Sequence, residues 1–182
     1  MTSLTQQEII EGCKKLDPKC QKALVLRYSG ILMATSRRYA ADYAQDIVQE
    51  AFIKILRAFP KYESRGSLEG WMKKIVVNTA LSYFDKACFK REHHGYESLP
   101  EQTNTPEIYP QLAAEELMAV INQLPDGFKT IFNLYAVEGY SHREIGETLG
   151  IKESTSRSQL TRARKMLVEL LAKRDQKRLR SQ

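Results

Sequence analysis

Cysteine is scarce in this 182-residue chain, and its three copies, Cys13, Cys20 and Cys88, are odd in number and show no Cys-x-x-Cys spacing. That speaks against a disulfide framework or a zinc ribbon and leaves buried or incidental thiols. Long hydrophobic runs are missing too. No apolar stretch approaches the ~20 residues that a transmembrane helix needs, so no direct membrane insertion is expected. The polar start Met1-Thr2-Ser3-Leu4-Thr5-Gln6-Gln7 lacks the apolar segment of a signal peptide, and the expected location is cytoplasmic. Histidine is equally rare: His93-His94 beside Cys88 supply too few ligands for a metal. With no nucleophile set beside a base and no glycine-rich phosphate loop, neither an enzyme nor a bound cofactor or metal is expected.

Helix-forming sequence occupies two blocks. Between Lys90 and Pro110 the chain holds Gly95, Pro100, Asn104, Pro106 and several Ser and Thr residues, which cannot sustain a helix. The expected fold is therefore all-α: two small helical domains, 1–89 and 111–182, joined by a flexible linker at 90–110, with no β-rich segment.

The C-terminal block contains a helix-turn-helix pattern from Gly139 to Lys165. Ser141-His142-Arg143-Glu144 is a capping box, in which the Ser141 hydroxyl and the Glu144 carboxylate satisfy orphan N–H groups at a helix start. Ile145 and Leu149 form an apolar stripe, Gly146 suits a close helix crossing, and Gly150 suits the left-handed residue that ends a helix. In the next helix Ser156, Leu160, Ala163 and Leu167 share a face, with Ser156 its polar exception. The opposite face carries Ser154, Ser158, Thr161 and Lys165, flanked by Arg157 and Arg162, groups that reach phosphates and base edges. A plain helical hairpin with a solvated basic face has the same spacing. Charge favours nucleic acid: residues 150–182 hold 10 Lys/Arg against 3 Asp/Glu, while the other 149 residues hold 18 against 19. The tail Lys173 to Arg180 reads as a frayed, solvated end that touches phosphates nonspecifically.

In the N-terminal block, Pro18 to Arg38 reads as one helix with Leu24, Tyr28, Ile31, Leu32 and Thr35 on a common face. Tyr43 to Phe59 reads as the next, with Ile47 or Val48, Ala51, Ile55 and Phe59 inward and Pro60 as its stop. Its other face places Asp46, Glu50, Ile53 and Arg57 within about 40° of one another, with Gln49 alongside. An isoleucine in a polar, partly acidic stripe points to protein rather than DNA contact, although a solvated face with one stray apolar residue fits the same spacing. Lys61 to Ser67 reads as a loop, and Ser67 can cap a helix from Leu68 to about Phe89. On that helix Trp71, Asn78 and Ser82 align, with Lys73, Lys74 and Lys86 nearby, a set able to grip unstacked bases. Trp71 fits a core position equally well.

Three runs in order, Asp46-Ile47-Val48-Gln49-Glu50-Ala51-Phe52-Ile53-Lys54-Ile55, Trp71 to Ala80, and Leu124-Pro125 through the helix-turn-helix, resemble bacterial sigma factors of the extracytoplasmic-function group over nearly the whole chain. The resemblance implies a transcription initiation factor that binds core RNA polymerase and directs it to promoters. It implies that Asp46, Gln49, Glu50, Ile53 and Arg57 meet the β′ clamp helices. It further implies that the loop with Tyr62, Glu63, Ser64 and Arg65, together with Trp71, Lys74 and Asn78, engages the opened minus-ten element. Glu153, Ser154, Arg157, Ser158, Arg162 and Lys165 would read the minus-thirty-five duplex, and family habit adds an anti-sigma protein as partner. Two positions depart from the family pattern: Lys152 stands where a Ser or Thr cap is frequent, and Ser156 replaces a frequent apolar residue. Both leave the start of the reading helix open by a residue. Two rival readings are a dimeric repressor or activator, which lacks a clear dimerisation face or effector pocket here, and a metal hydrolase around His93-His94, which lacks carboxylate partners.

Overall fold

The computed structural model describes residues 4–83 and 114–179, and every regular element among them is helical. Contacts between Cα atoms divide the chain into two compact units, Met1–Phe84 and Asp85–Gln182. Cys88, His93, His94 and the expected linker at 90–110 lie outside the described residues.

In the first unit, a Thr5–Glu8 capping box starts α1 (Gln6–Lys14), a short helix that the sequence pattern had not singled out. Asp17 accepts from the Lys19 amide and Pro18 presets the first helical φ, so α2 (Pro18–Arg37) begins sharply. Gly12 permits the tight α1–α2 hairpin, because a Cβ there would stand 2.2 Å from the Cys20 sulfur. Cys13 and Cys20 are both buried free thiols, and burial foremost pushes the Cys13 thiol up to about 11, which keeps it protonated and inert. Then come α3 (Ala44–Ala58), a 3₁₀ turn over Phe59–Lys61 around Pro60, and α4 (Leu68–Ser82), capped by Ser67. Both α2 and α3 match the periodicity to within a residue. Of the helix expected from Leu68 to about Phe89, the described part ends at Ser82. Helices α2, α3 and α4 pack on one another, and α1 closes against α2 and the 3₁₀ turn. Leu24, Leu32, Ile47, Ile55, Phe59, Met72 and Val76 are sealed from solvent at the centre. Each such side chain contributes roughly 1.5–3 kcal/mol of burial.

The second unit comprises α5 (Ala114–Ile121), α6 (Asp126–Phe132) with a π-helical turn continuing it over Asn133–Val137, α7 (His142–Leu149) and the long α8 (Glu153–Leu179). Val120, Ile121, Leu124 and Phe128 pack against Ala163, Leu167 and Leu171 of α8. The beginning of the tail departs from its expected frayed state at Arg174, while Lys173 is exposed as expected. The apolar stripe continues to Leu171, and one turn further Arg174 holds Glu116 of α5 twice, through its carboxylate at 3.0 Å and its backbone oxygen at 3.1 Å. A guanidinium that spans a carboxylate and a carbonyl is a charge-assisted clamp, so the beginning of the basic tail belongs to the packed unit.

Candidate functional site

Three surfaces carry the candidate residues. On α3 the amphipathic pattern turns Ile47, Val48, Ala51 and Ile55 inward, which leaves Asp46, Gln49, Ile53 and Arg57 exposed and Glu50 half-buried. Ile53 keeps 51% of its surface in solvent, enough for it to act as an apolar contact at the middle of a polar stripe. Glu50 is held from two sides: Lys54 Nζ stands 2.7 Å from its Oε1, and the Tyr83 hydroxyl donates to its Oε2 at 3.2 Å. Lys54 also donates to Thr79 Oγ1 at 3.2 Å, so this salt bridge is tied to α4. The Lys54 hydrogen bond is the main cause of a lowered Glu50 pKa, and the carboxyl remains an anion. Burial, followed by the Glu50 hydrogen bond, raises that of Tyr83. Tyr43 and Tyr83, both exposed, pack 5.9 Å apart and widen the stripe with aromatic area. The sequence reading missed Tyr43, Lys54 and Tyr83. Lys54 lies next to the stripe, but Tyr83 stands 33 positions beyond Glu50, which leaves no local signal of that contact.

The loop between the 3₁₀ turn and α4 bends through left-handed Ser64 (φ 56°) and Gly66 (φ 109°) and presents Glu63, Ser64 and Arg65 to solvent. Glu63 and Arg65 pair at 2.8 Å, an exposed contact worth little and easily exchanged. Tyr62 differs from these neighbours. It is only 8% exposed, its ring 5.7 Å from Phe59 and 4.6 Å from Trp71, with Trp71 edge-on to Phe59 at 5.5 Å. Phe59, Tyr62 and Trp71 form one aromatic cluster that supports the loop. Trp71 thus takes part in packing while remaining half-buried, and Lys74 and Asn78 follow it on the α4 surface at helical steps, both exposed. A rigid aromatic base beneath an exposed loop, beside an amide and a cation, can receive an unstacked base.

The third surface is the helix-turn-helix. Ser141 Oγ accepts from the Glu144 amide at 3.2 Å while the Glu144 carboxylate accepts from the Ser141 amide at 2.9 Å, which completes the expected capping box. Gly150 ends α7 in the left-handed conformation (φ 67°, ψ 36°). Gly146 is required by the turn itself: a Cβ would stand 2.8 Å from the Ile151 carbonyl oxygen. Lys152 precedes α8, and its backbone oxygen accepts from the Ser156 amide at 3.1 Å, so the first helical residue is Glu153. Glu153, Ser154, Arg157, Thr161 and Lys165 lie exposed along α8, whereas Ser158 and Arg162 are half-buried. Arg157 is paired with Glu153 one turn earlier, and both remain open to solvent. Beneath, Ser156, Leu160, Ala163 and Leu167 are buried as expected, and Ser156 Oγ meets His142 Nδ1 at 3.0 Å. A buried hydroxyl facing a ring nitrogen accounts for a polar residue on that stripe.

Among the described residues no three His, Cys, Asp or Glu side chains stand together as a metal site, and no helix is long and apolar enough to cross a membrane.

Comparison with known proteins adds to this geometry. The family model described as Sigma-70 region 2 matches residues 24–88, and that described as Sigma-70, region 4 matches residues 114–167. The ECF RNA polymerase sigma-E factor of Haemophilus influenzae is 29% identical over 179 residues, covering 90% of this chain and 94% of its own length. The protein of the same name in Escherichia coli K12 is 28% identical over 179 residues, with 90% and 93% covered. The ECF RNA polymerase sigma factor SigE of Mycolicibacterium smegmatis is 33% identical over 135 residues, 71% of this chain, and the match spans about half (52%) of that relative. Among solved structures, the sigma factor RpoE of Bartonella quintana, co-crystallised with the anti-sigma factor NepR, superposes with a TM-score of 0.52 at 23% identity. That match covers 83% of this chain and 96% of RpoE, and it speaks to the fold.

Proposed function

We propose, for a chain that belongs to the extracytoplasmic-function group of sigma factors and so serves promoter-specific initiation by RNA polymerase, that its two helical units divide the work between polymerase and DNA. The borders of that division are 1–89 and 111–182, with 90–110 as the span between them. Asp46, Gln49, Glu50, Ile53 and Arg57 dock on the β′ clamp helices of core polymerase. The observation that carries this assignment is the exposed Ile53 inside a stripe whose central carboxylate is held in place by Lys54 and Tyr83. An apolar contact ringed by charged groups suits the core-and-rim anatomy of a protein interface.

Glu63, Ser64 and Arg65, above the Tyr62–Trp71 cluster, hold the opened minus-ten strand together with Lys74 and Asn78. Extruding a base costs a few kcal/mol, and a pocket with a rigid aromatic base offsets that cost. On α8, Glu153, Ser154, Arg157, Ser158, Arg162 and Lys165 read the minus-thirty-five duplex, where an arginine can pair with guanine and a glutamate can accept from a cytosine amine. The half-buried Ser158 and Arg162 stand further from open solvent than the other four. Catalysis belongs to the polymerase, and no cofactor is required. The setting is cytoplasmic, and an anti-sigma protein is a partner, as NepR is for RpoE.

The decisive experiment mixes the purified chain with core RNA polymerase and promoter DNA and looks for specific initiation; no complex and no transcript would sink the assignment. More finely, Glu50→Lys and Ile53→Ala should weaken polymerase binding while binding to minus-thirty-five duplex persists. Ile53→Ala is expected to cost about tenfold, the order of 1–2 kcal/mol for a central interface residue. Joint loss of both binding activities would mark misfolding and remove support for the α3 surface.

A further inference from the structure

Ser156 is the polar residue of the Ser156, Leu160, Ala163 and Leu167 stripe of α8, and no surface assigned above gives it a task. Its partner His142 is the first residue of α7. The His142 ring stacks on Tyr135 of the π-helical turn, with centroids 4.5 Å apart and planes 21° from parallel, and the guanidinium of Arg164 from α8 lies 5.7 Å from the Tyr135 centroid. One imidazole therefore touches both helices of the reader and the turn that precedes them. We propose that His142 is a positioning residue for duplex reading: its neutral ring latches α8 in register through Ser156, and its protonation lowers the sequence selectivity of that helix. This inference rests on α8 being the duplex reader.

The chemistry follows from the two partners. A serine hydroxyl both donates and accepts, so it can pair with Nδ1 of either neutral tautomer. The imidazolium still donates from Nδ1 to the Ser156 oxygen, so protonation leaves that hydrogen bond intact but places a positive charge in a partly desolvated position between α7 and α8. Burial is the largest influence against that charge. Of the charged side chains around the ring, Arg157 and Arg164 of α8 oppose it and Glu153 of α8 favours it, and the His142 pKa lies below the ordinary 6.5. Since the folded value is the lower one, the unfolded chain binds the proton more readily. The neutral-ring arrangement is therefore fully favoured above about pH 6.5 and is progressively strained by the buried charge as pH falls below that value. The added charge itself attracts phosphate, so acid should leave nonspecific affinity unchanged or stronger while selectivity declines.

The test uses the full-length chain and a duplex that the chain selects from a random-sequence pool at pH 7.5. Fluorescence anisotropy then gives the ratio of its affinities for the selected and a scrambled duplex between pH 7.5 and 5.5. The ratio is expected to fall several-fold for the natural chain. The double variant His142→Phe/Ser156→Ala keeps a ring against Tyr135 and leaves neither former partner unpaired, so it should remain folded and give a flat profile. His93 and His94 are present in both proteins and cancel from the comparison. Equal slopes in the two proteins, or a flat ratio in the natural chain, overturn the latch. Failure to select any duplex overturns the duplex-reader assignment and the latch with it, an outcome distinct from a selected duplex bound without pH dependence.

Discussion

Beneath the exposed stripe of α3 lie apolar side chains, Ile47, Val48, Ala51 and Ile55, whereas beneath that of α8 the fully buried residues include polar Ser156 and Gln159. Apolar burial is nearly indifferent to direction, so on α3 the fine placement of Glu50 comes from outside, through Lys54 and the Tyr83 hydroxyl. Hydrogen bonds are directional and a buried polar atom is costly to leave unpaired, so on α8 the placement comes from below, through Ser156 and His142. The two arrangements suit the tasks proposed for them. A protein-docking face can adjust side chains at the rim, but a helix that reads base edges must hold its rotation and register before contact.

This contrast can be broken from either side. The largest effect is expected from Phe59→Ala, which removes a fully buried ring that also backs Tyr62 and Trp71. The loss should be about 3–5 kcal/mol of stability in the first unit. Denaturation followed by Trp71 fluorescence checks it, and polymerase binding should fail while duplex binding survives. Gly146→Ala comes next, because the new methyl would meet the Ile151 carbonyl oxygen, which is backbone and cannot swing away. The expected cost is roughly 1–3 kcal/mol, read as weakened duplex binding with polymerase binding retained. If duplex affinity were unchanged, α8 would not need its turn geometry. The smallest effect belongs to Tyr83→Phe, which keeps the ring against Tyr43 and deletes only the hydroxyl that holds Glu50. Polymerase affinity should drop by no more than a few-fold, in line with about 1 kcal/mol for a half-exposed hydrogen bond. A tenfold or greater drop would move Tyr83 from supporting Glu50 to touching the polymerase itself.

Much of the helical architecture was legible because its signals are local. Pro18, Ser67, the Ser141–Glu144 box and Gly150 mark helix ends by chemistry that acts within four residues. The inward faces of α2, α3 and α8 repeat at helical period. What escaped the sequence reading depends on contacts between elements. Arg174 reaches Glu116 from 58 positions further along the chain, which ties the beginning of the basic tail to α5. The short α1 presents too few turns for its periodicity to stand out, and no residue pattern announces the π-helical turn that carries Tyr135 to His142. Tyr62, grouped with its loop by Gly and Ser neighbours, is drawn inward by Phe59 and Trp71.

The sequence by itself determined that the chain is helical, where most helices start and stop, which stripe of α3 is acidic with an isoleucine in it, and where positive charge accumulates. Those properties follow from residue spacing, local caps and composition. Tertiary structure alone decided which exposed groups are held in place and by what: Glu50 by Lys54 and Tyr83, and α8 by buried Ser156 and half-buried His142, fourteen positions apart. The reason is that a helical period assigns a residue to a face, but only the packing of one element on another brings a donor within 3 Å of its acceptor.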